Sequence, residues 1–191
     1  QSFVQAMAAS RGLPAAEREQ LTQARDTIGQ ICSGGAAGSL VAPAGIKSAP
    51  GREFLAYLQA ADAFYAGEWD AAHDGFATLR GSKDAWLAET AAYMLARTEL
   101  NAAQAASFDV WGTLALDKVD KAALDRARAG FEDYLKRHAR GRYAASAQGL
   151  MRRTLWLAGD AAGLSREYER MLGTVPAATP GAADLVEEID N

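Results

Sequence analysis

The sequence has very little of the chemistry on which catalytic and metal sites depend. It contains one cysteine, Cys32, and two histidines, His73 and His138. A single cysteine excludes an intrachain disulfide and a cysteine-based zinc site, and Cys32 lies on an apolar stripe that predicts a buried thiol. His73 has Trp69 and Ala77 at the neighbouring helical positions, so its own helix offers no second ligand. We therefore predict no catalytic residue, no metal, no cofactor and no enzymatic activity.

Long apolar runs and an excess of positive charge are also absent. No stretch of about 18 apolar residues occurs, so no transmembrane segment is predicted. The 20 Lys and Arg against 24 Asp and Glu give a formal net charge of -4, which argues against a nucleic-acid-binding protein. The carboxylates are scattered along the chain, and we expect most of them to be solvated. No signal peptide is visible at Gln1, which is not a starting Met, so we expect a processed or truncated chain.

The sequence is instead rich in alanine and in helical periodicity. Strand-forming residues are sparse, whereas Ala, the strongest helix former, occurs in almost every segment. Two helical runs meet at Gly67, which would end the first run, while Asp70 would cap the second or lie in its first turn. The tail either begins a helix at Asp184 or is disordered. The other predicted helices lie near 1–10, 15–32, 84–104, 121–138, 142–158 and 161–173.

These runs divide the chain into four segments. Glycine and proline are concentrated in one stretch before the main helical region, which is typical of a loop. A shorter stretch interrupts the order of helices later in the chain. The predicted segments are an N-terminal helical extension (1–32), a Gly/Pro-rich loop (33–51), a helical repeat domain (52–173) with an insertion near 105–120, and a C-terminal tail (174–191).

Three helices repeat one pattern of small, aromatic and apolar residues at positions i, i+4 and i+7, which share a helix face. Phe131 and Tyr168 are 37 residues apart, close to the roughly 34 residues of a tetratricopeptide repeat. Phe76 and Phe131 are 55 residues apart, and the excess falls where 105–120 interrupts the helices. Stacked hairpins bury a continuous core. The residues predicted to form that core are Trp69, Phe76, Leu79, Phe131, Tyr134, Tyr168 and Leu172.

The segments GEWDAAHDGFATL and AGDAAGLSREYERML resemble the turn and second helix of tetratricopeptide repeats. FEDYLKRHARGRYAASAQGLMRRTLWLAGD is similar to the hairpins of bacterial outer-membrane assembly lipoproteins and Tol-Pal accessory proteins. The resemblance covers about 53–173 and implies an all-α α-solenoid of about three helical hairpins with an N-terminal helical extension. The chain departs from the family pattern, since the usual proline after the second helix is missing and the middle repeat lacks a Gly-Asp turn.

The resemblance also implies a function. In this family the first helix of each hairpin lines a concave face that binds another protein or a peptide segment, and aromatic and arginine side chains suit such a face. For some of these residues the alternative is an ordinary role: Tyr93 and Trp156 in the core, and Arg97 as a solvated charge. The candidate partner-binding residues are Tyr57, Tyr65, Glu89, Tyr93, Arg97, Arg153 and Trp156.

We therefore predict a non-enzymatic scaffold that helps to assemble or organise a bacterial cell envelope. The alternative is a structural or oligomerising segment of a longer chain, whose groove is filled by its own 105–120 or 174–191. Both interpretations are compatible with a homo-oligomer. The resemblance implies a periplasmic or envelope location, and the cytoplasm is the alternative.

Overall fold

A computed structural model describes residues 2–32, 40–176 and 179–190 of the chain, and this part contains nine α-helices and no β-strand. The helices pack in adjacent pairs, so the predicted all-α, solenoid-like fold is confirmed. A short 3₁₀ turn, Leu116–Lys118, lies between the fifth and sixth helices. The helices are α1 (Phe3–Ala9), α2 (Ala15–Cys32), α3 (Ala49–Ala66), α4 (Trp69–Leu79), α5 (Ala85–Gln104), α6 (Lys121–Arg137), α7 (Ala144–Leu157), α8 (Ala161–Leu172) and α9 (Pro180–Asp190).

Local capping chemistry explains where several helices begin and end. The Asp84 carboxylate accepts hydrogen bonds from the backbone N–H groups of Trp86 and Leu87 and so starts α5. Asp120 starts α6 in the same way, because the first N–H groups of a helix have no intrahelical partner. Gly67 ends α3 with φ 77°, as predicted, since a left-handed residue there favours glycine.

Two boundaries differ from the predicted ones by three residues or more. The loop predicted over 33–51 ends at Ser48, because the Ser48 hydroxyl caps the N–H of Gly51 and α3 begins at Ala49. The last helix begins at Pro180 rather than Asp184, since proline suits the first turn of a helix. The part of the predicted loop over 33–39 and the predicted burial of the Cys32 thiol fall outside what the structure describes.

The core lies between the paired helices α3 to α7. Phe76 and Phe131 are fully buried there, and Leu79 and Tyr134 are buried beside them, as predicted. Trp69 is half-buried and packs against the same core. The prediction was wrong for the last helix of the third hairpin. Tyr168 is only half-buried and Leu172 is 48% exposed, and among the described helices α8 packs mainly on α7 and α9.

Glycine lets the two helices of a hairpin approach closely. A Cβ on Gly75 would lie 2.6 Å from the Cβ of Ala60, and a Cβ on Gly130 would lie 2.9 Å from that of Ala96. Each of these glycines directly precedes the buried phenylalanine of its helix. The hairpins α3–α4 and α5–α6 therefore share one packing geometry, which is the structural form of the repeat.

The N-terminal extension covers one end of this stack. The Phe3 ring of α1 lies within 6 Å of the rings of Phe54, Tyr57 and Trp86. Leu21 of α2 is fully buried in the same cluster. These contacts join α1 and α2 to α3 and the start of α5, so that end of the solenoid does not expose its apolar side chains to water.

Candidate functional site

The insertion between α5 and α6 is a compact loop that holds two apolar side chains in solvent. The Asp109 carboxylate accepts hydrogen bonds from the backbone N–H groups of Trp111 and Thr113, both at 2.8 Å. The bond from Thr113 and that from Trp111 lower the pKa of Asp109. Gly112 completes the turn with φ 80°. Val110 and Trp111, here called the loop tip, are 92% and 88% exposed, so an ordered turn presents them to water.

The base of the insertion packs on α7 through an aromatic–arginine cluster formed by Phe108, Arg153 and Trp156. The Phe108 and Trp156 rings stack with their centroids 6.4 Å apart. The Arg153 guanidinium lies 4.4 Å from the Trp156 centroid and 5.4 Å from that of Phe108. Burial lowers the pKa of Arg153, and Trp156 is still 39% exposed. The insertion therefore extends the surface of α7 with an aromatic ring that also covers part of Trp156.

A second aromatic–arginine group lies between α3 and α5. The Arg97 guanidinium lies 5.2 Å from the ring centroid of Phe64 and 5.7 Å from that of Tyr93. Tyr65 meets Phe64 edge to face at 5.4 Å and is 57% exposed. Attraction between a guanidinium and an aromatic face holds such a side chain in place while leaving its outer edge accessible.

Polar side chains along α5 connect these two groups. Arg97, Asn101 and Gln104 are spaced i, i+4 and i+7, so they share one face of the helix. The Gln104 amide N–H donates to Asn101 Oδ1 at 3.4 Å, and Gln104 Oε1 accepts from Arg153 at 3.0 Å. All four of these side chains are half-buried. Tyr65, Arg97, Arg153 and Trp156 thus lie along one partly exposed strip across α3, α5 and α7, here called the first-helix face.

Tyr57 and Tyr93, two further candidates, pack beneath the surface. Tyr93 is 4% exposed, stacks on Tyr143 at 4.4 Å and shares a 2.6 Å hydrogen bond with the hydroxyl of Ser146. Tyr57 lies between Phe3 and the core, and burial raises its pKa. Both rings support the first-helix face without forming its outer surface.

Glu89 takes part in a polar network at the turn between α6 and α7. Its carboxylate accepts a hydrogen bond from the Tyr134 hydroxyl at 3.0 Å and one from the backbone N–H of Arg142 at 2.8 Å. The Arg142 guanidinium pairs with the same carboxylate at 3.1 Å. Burial raises the pKa of Tyr134 to about 12. Glu89 therefore holds the second and third hairpins together.

Sequence reasoning missed a charged cluster on the other side of α5. Glu99 is 6% exposed, and its two oxygens contact His73 Nδ1 at 2.5 Å and Arg126 Nε at 2.8 Å. The three side chains come from α5, α4 and α6. Spacing along one helix carries no signal for such a cluster, because Glu99 follows His73 by 26 residues and meets it only through hairpin packing.

Within the described residues no group of three or more His, Cys, Asp or Glu side chains is placed to hold a metal ion. None of the described helices is both long and apolar enough to cross a membrane. The fold and the first-helix face define an all-α, solenoid-like helical-repeat protein. Comparison with protein-family models, curated proteins and solved structures finds no match for the chain.

Proposed function

We propose that this protein is a non-enzymatic scaffold that binds a segment of another protein on the first-helix face. The observation that carries the proposal is the loop tip. A tryptophan and a valine are held in water by a turn that Asp109 fixes, in the same insertion as Phe108 of the aromatic–arginine cluster with Arg153 and Trp156. Exposed aromatic side chains on an ordered support are typical of protein-binding hot spots, because they bury a large apolar area at little cost in conformational entropy.

The arginines suggest the chemistry of the bound segment. Among the described residues neither Arg97 nor Arg153 forms an ion pair, although each is held by aromatic rings and by uncharged acceptors. An arginine in that position can donate two parallel hydrogen bonds from its guanidinium group to a carboxylate. We therefore expect a partner segment that combines an apolar or aromatic side chain with acidic residues.

A second candidate function is a structural or oligomerising role, and one contact favours it. Phe108 stacks on Trp156, so the chain's own insertion already occupies part of the first-helix face. In that case the loop tip belongs to a self-contained surface and captures no separate partner.

The family resemblance supports a further part of the proposal: a role in assembling or organising a bacterial cell envelope, with a tetratricopeptide-type repeat. The periplasm or envelope is the proposed compartment, and the cytoplasm is its alternative. Fractionation of the source cells, with antibody detection of the chain in each fraction, distinguishes the two.

The test of the scaffold is capture of a partner from envelope and cytosolic fractions by immobilised protein. A triple variant, Arg97→Ala, Trp111→Ala and Arg153→Ala, removes the exposed groups of the first-helix face and the loop tip. A control variant, Arg11→Ala and Arg140→Ala, removes the same number of charges at exposed positions outside that face. Circular dichroism checks that both variants remain folded.

We expect a specific partner to bind wild type and control, and to bind the triple variant at least roughly tenfold more weakly, since hot-spot truncations cost about 2 kcal/mol or more. Equal binding by all three proteins would remove these residues from the site. Absence of any partner in both fractions would favour the structural role.

A further inference from the structure

A cavity of about 300 Å³ lies between α4 and α6, with α5 as its floor. Its apolar lining consists mainly of small side chains, which leave the space between the two outer helices unfilled. This volume is at the lower end of the range for small-molecule sites. The apolar lining residues are Ala92, Leu95, Ala96, Ala129 and Gly130.

One wall of the cavity is the cluster of Glu99, His73 and Arg126. The buried Glu99 carboxylate accepts from Arg126 Nε and contacts His73 Nδ1, so both of its oxygens are satisfied. The two η nitrogens of Arg126 and Nε2 of His73 make no hydrogen bond to any described residue. Glu99 therefore fixes the orientation of Arg126 and leaves the η end of its guanidinium available as a donor pair.

The opposite wall carries an ion pair. Arg80 Nη2 lies 3.3 Å from Asp133 Oδ2, and Arg137 Nε donates to Asp133 Oδ1 at 2.8 Å. Among the charged residues that line the cavity, the guanidinium groups of Arg80 and Arg126 equal the carboxylates of Glu99 and Asp133 in number. The charges that line the site are therefore balanced, in a chain whose formal net charge is -4.

We infer that this cavity binds a small organic anion, a carboxylate whose apolar body is about one aromatic ring or a short alkyl chain. The carboxylate accepts hydrogen bonds from the η nitrogens of Arg126, and the apolar body lies on Ala92, Ala96 and Ala129. Guanidinium groups bind carboxylates in a bidentate geometry. The small apolar side chains below provide a surface whose removal from water by the ligand is favourable.

This site is separate from the first-helix face. Ala92, Leu95 and Glu99 lie on one stripe of α5, whereas Arg97 and Gln104 lie on the opposite side of the same helix, as the 3.6-residue period requires. Binding of an anion in this cavity is therefore independent of partner binding on the first-helix face.

The experiment is a titration of the whole chain with benzoate, followed by NMR chemical shifts. Three variants locate the site. Ala129→Leu fills the cavity, Arg126→Gln removes the donor pair, and Ala122→Leu makes the same apolar change at an exposed position of α6 outside the cavity. Circular dichroism confirms that each variant is folded.

We expect saturable benzoate binding to wild type and to Ala122→Leu. Arg126→Gln should weaken it by roughly tenfold or more, because the charged hydrogen-bond donors are lost. Ala129→Leu should weaken it by roughly as much, because the larger side chain occupies the space of the apolar body. Lack of saturation in wild type overturns the inference, and so does undiminished binding to Ala129→Leu or Arg126→Gln. Binding of inorganic phosphate without binding of benzoate overturns the assignment of an organic ligand.

Discussion

At the scale of the residue, two buried carboxylates depart from the solvated state expected of most acidic side chains. Glu99 joins α4, α5 and α6. Glu17 joins α2 to the start of α3, where its carboxylate accepts hydrogen bonds from the backbone N–H groups of Lys47 and Ser48 at 3.0 Å and from the Ser48 hydroxyl. An anion beside the N-terminus of a helix is also favoured by the helix dipole. Each carboxylate therefore fixes one helix against another.

The first prediction concerns Glu17 and pH. The Ser48 hydrogen bond and those from the Lys47 and Ser48 backbone lower the pKa of Glu17 below its ordinary value of 4.5. A lowered pKa means that the ionised carboxylate stabilises the fold. This stabilisation is complete above the unfolded-state pKa and is lost as the pH falls through the folded-state pKa. We expect Glu17→Gln to melt at a lower temperature than wild type at pH 7, and the two melting temperatures to approach each other as the pH falls below 4.5.

Thermal unfolding followed by circular dichroism at several pH values measures this difference. Glu19→Gln is the matched control, because Glu19 is exposed on the same helix, and it should melt with wild type throughout. A gap between wild type and Glu17→Gln that does not narrow as the pH is lowered below 4.5 would show that the carboxylate charge is not the cause.

At the scale of the element, the hairpins depend on close contact between helices. The second helix of each hairpin lies directly on the first where Gly75 faces Ala60 and where Gly130 faces Ala96. The Ala methyl groups stand directly on the backbone and cannot move aside as a long side chain can. The aromatic residue that follows each glycine is then buried between the paired helices, so the glycine determines how well the core packs.

The second prediction compares two helical glycines. Gly130→Ala adds a methyl group 2.9 Å from Ala96, and overpacking of this kind costs about 1–3 kcal/mol, which outweighs the roughly 1 kcal/mol that alanine gains in helix propensity. Gly149 of α7 has only the end of Arg152 nearby, at 3.9 Å. We therefore expect Gly130→Ala to lower the free energy of unfolding and Gly149→Ala to raise it by about 0.5–1 kcal/mol.

Urea unfolding at equilibrium gives both free energies. Wild-type stability or better for Gly130→Ala would mean that α6 shifts to accommodate the methyl group, and the close approach would then not be a constraint on the hairpin.

At the scale of the whole molecule, burial is uneven along the solenoid. The helix α5 is buried along much of its length between α3, α4, α6 and α7, and α1 and α2 cover the first end of the stack. Gly163 is the only residue of α8 that is buried in the part of the chain that the structure describes, although the helix has apolar residues at helical spacing. Stability in a helical-repeat array is nearly a sum of repeat and interface contributions, so the last hairpin is held less firmly than the middle one.

The third prediction is therefore a gradient of hydrogen exchange. Backbone amides of α5 and α6 should exchange only on near-global unfolding, whereas those of α8 and α9 should exchange at least roughly tenfold faster through local opening. Native-state hydrogen exchange with mass spectrometry or NMR measures this. Equal protection of α5 and α8 would indicate that the chain unfolds as one cooperative unit despite its uneven burial.

The first-helix face could be predicted from the sequence only in part. Tyr65, Arg97, Arg153 and Trp156 lie together across three helices, because repeat spacing places equivalent positions on equivalent faces. Whether they bind a partner stays a prediction. The loop tip could not be found this way, because the insertion breaks the repeat and the exposure of Trp111 depends on a turn that Asp109 closes.

The sequence by itself determined the helices, their order and most of the core, since alanine content, capping residues and the spacing of Phe76 and Phe131 are local properties of the chain. Only the tertiary structure decided which side chains meet across helices. Leu172 is exposed because little packs on α8, Tyr93 is buried because Tyr143 covers it, and Glu99 meets His73 and Arg126 because three helices converge. Periodicity along one helix identifies a face, but the neighbouring helices decide what that face contacts.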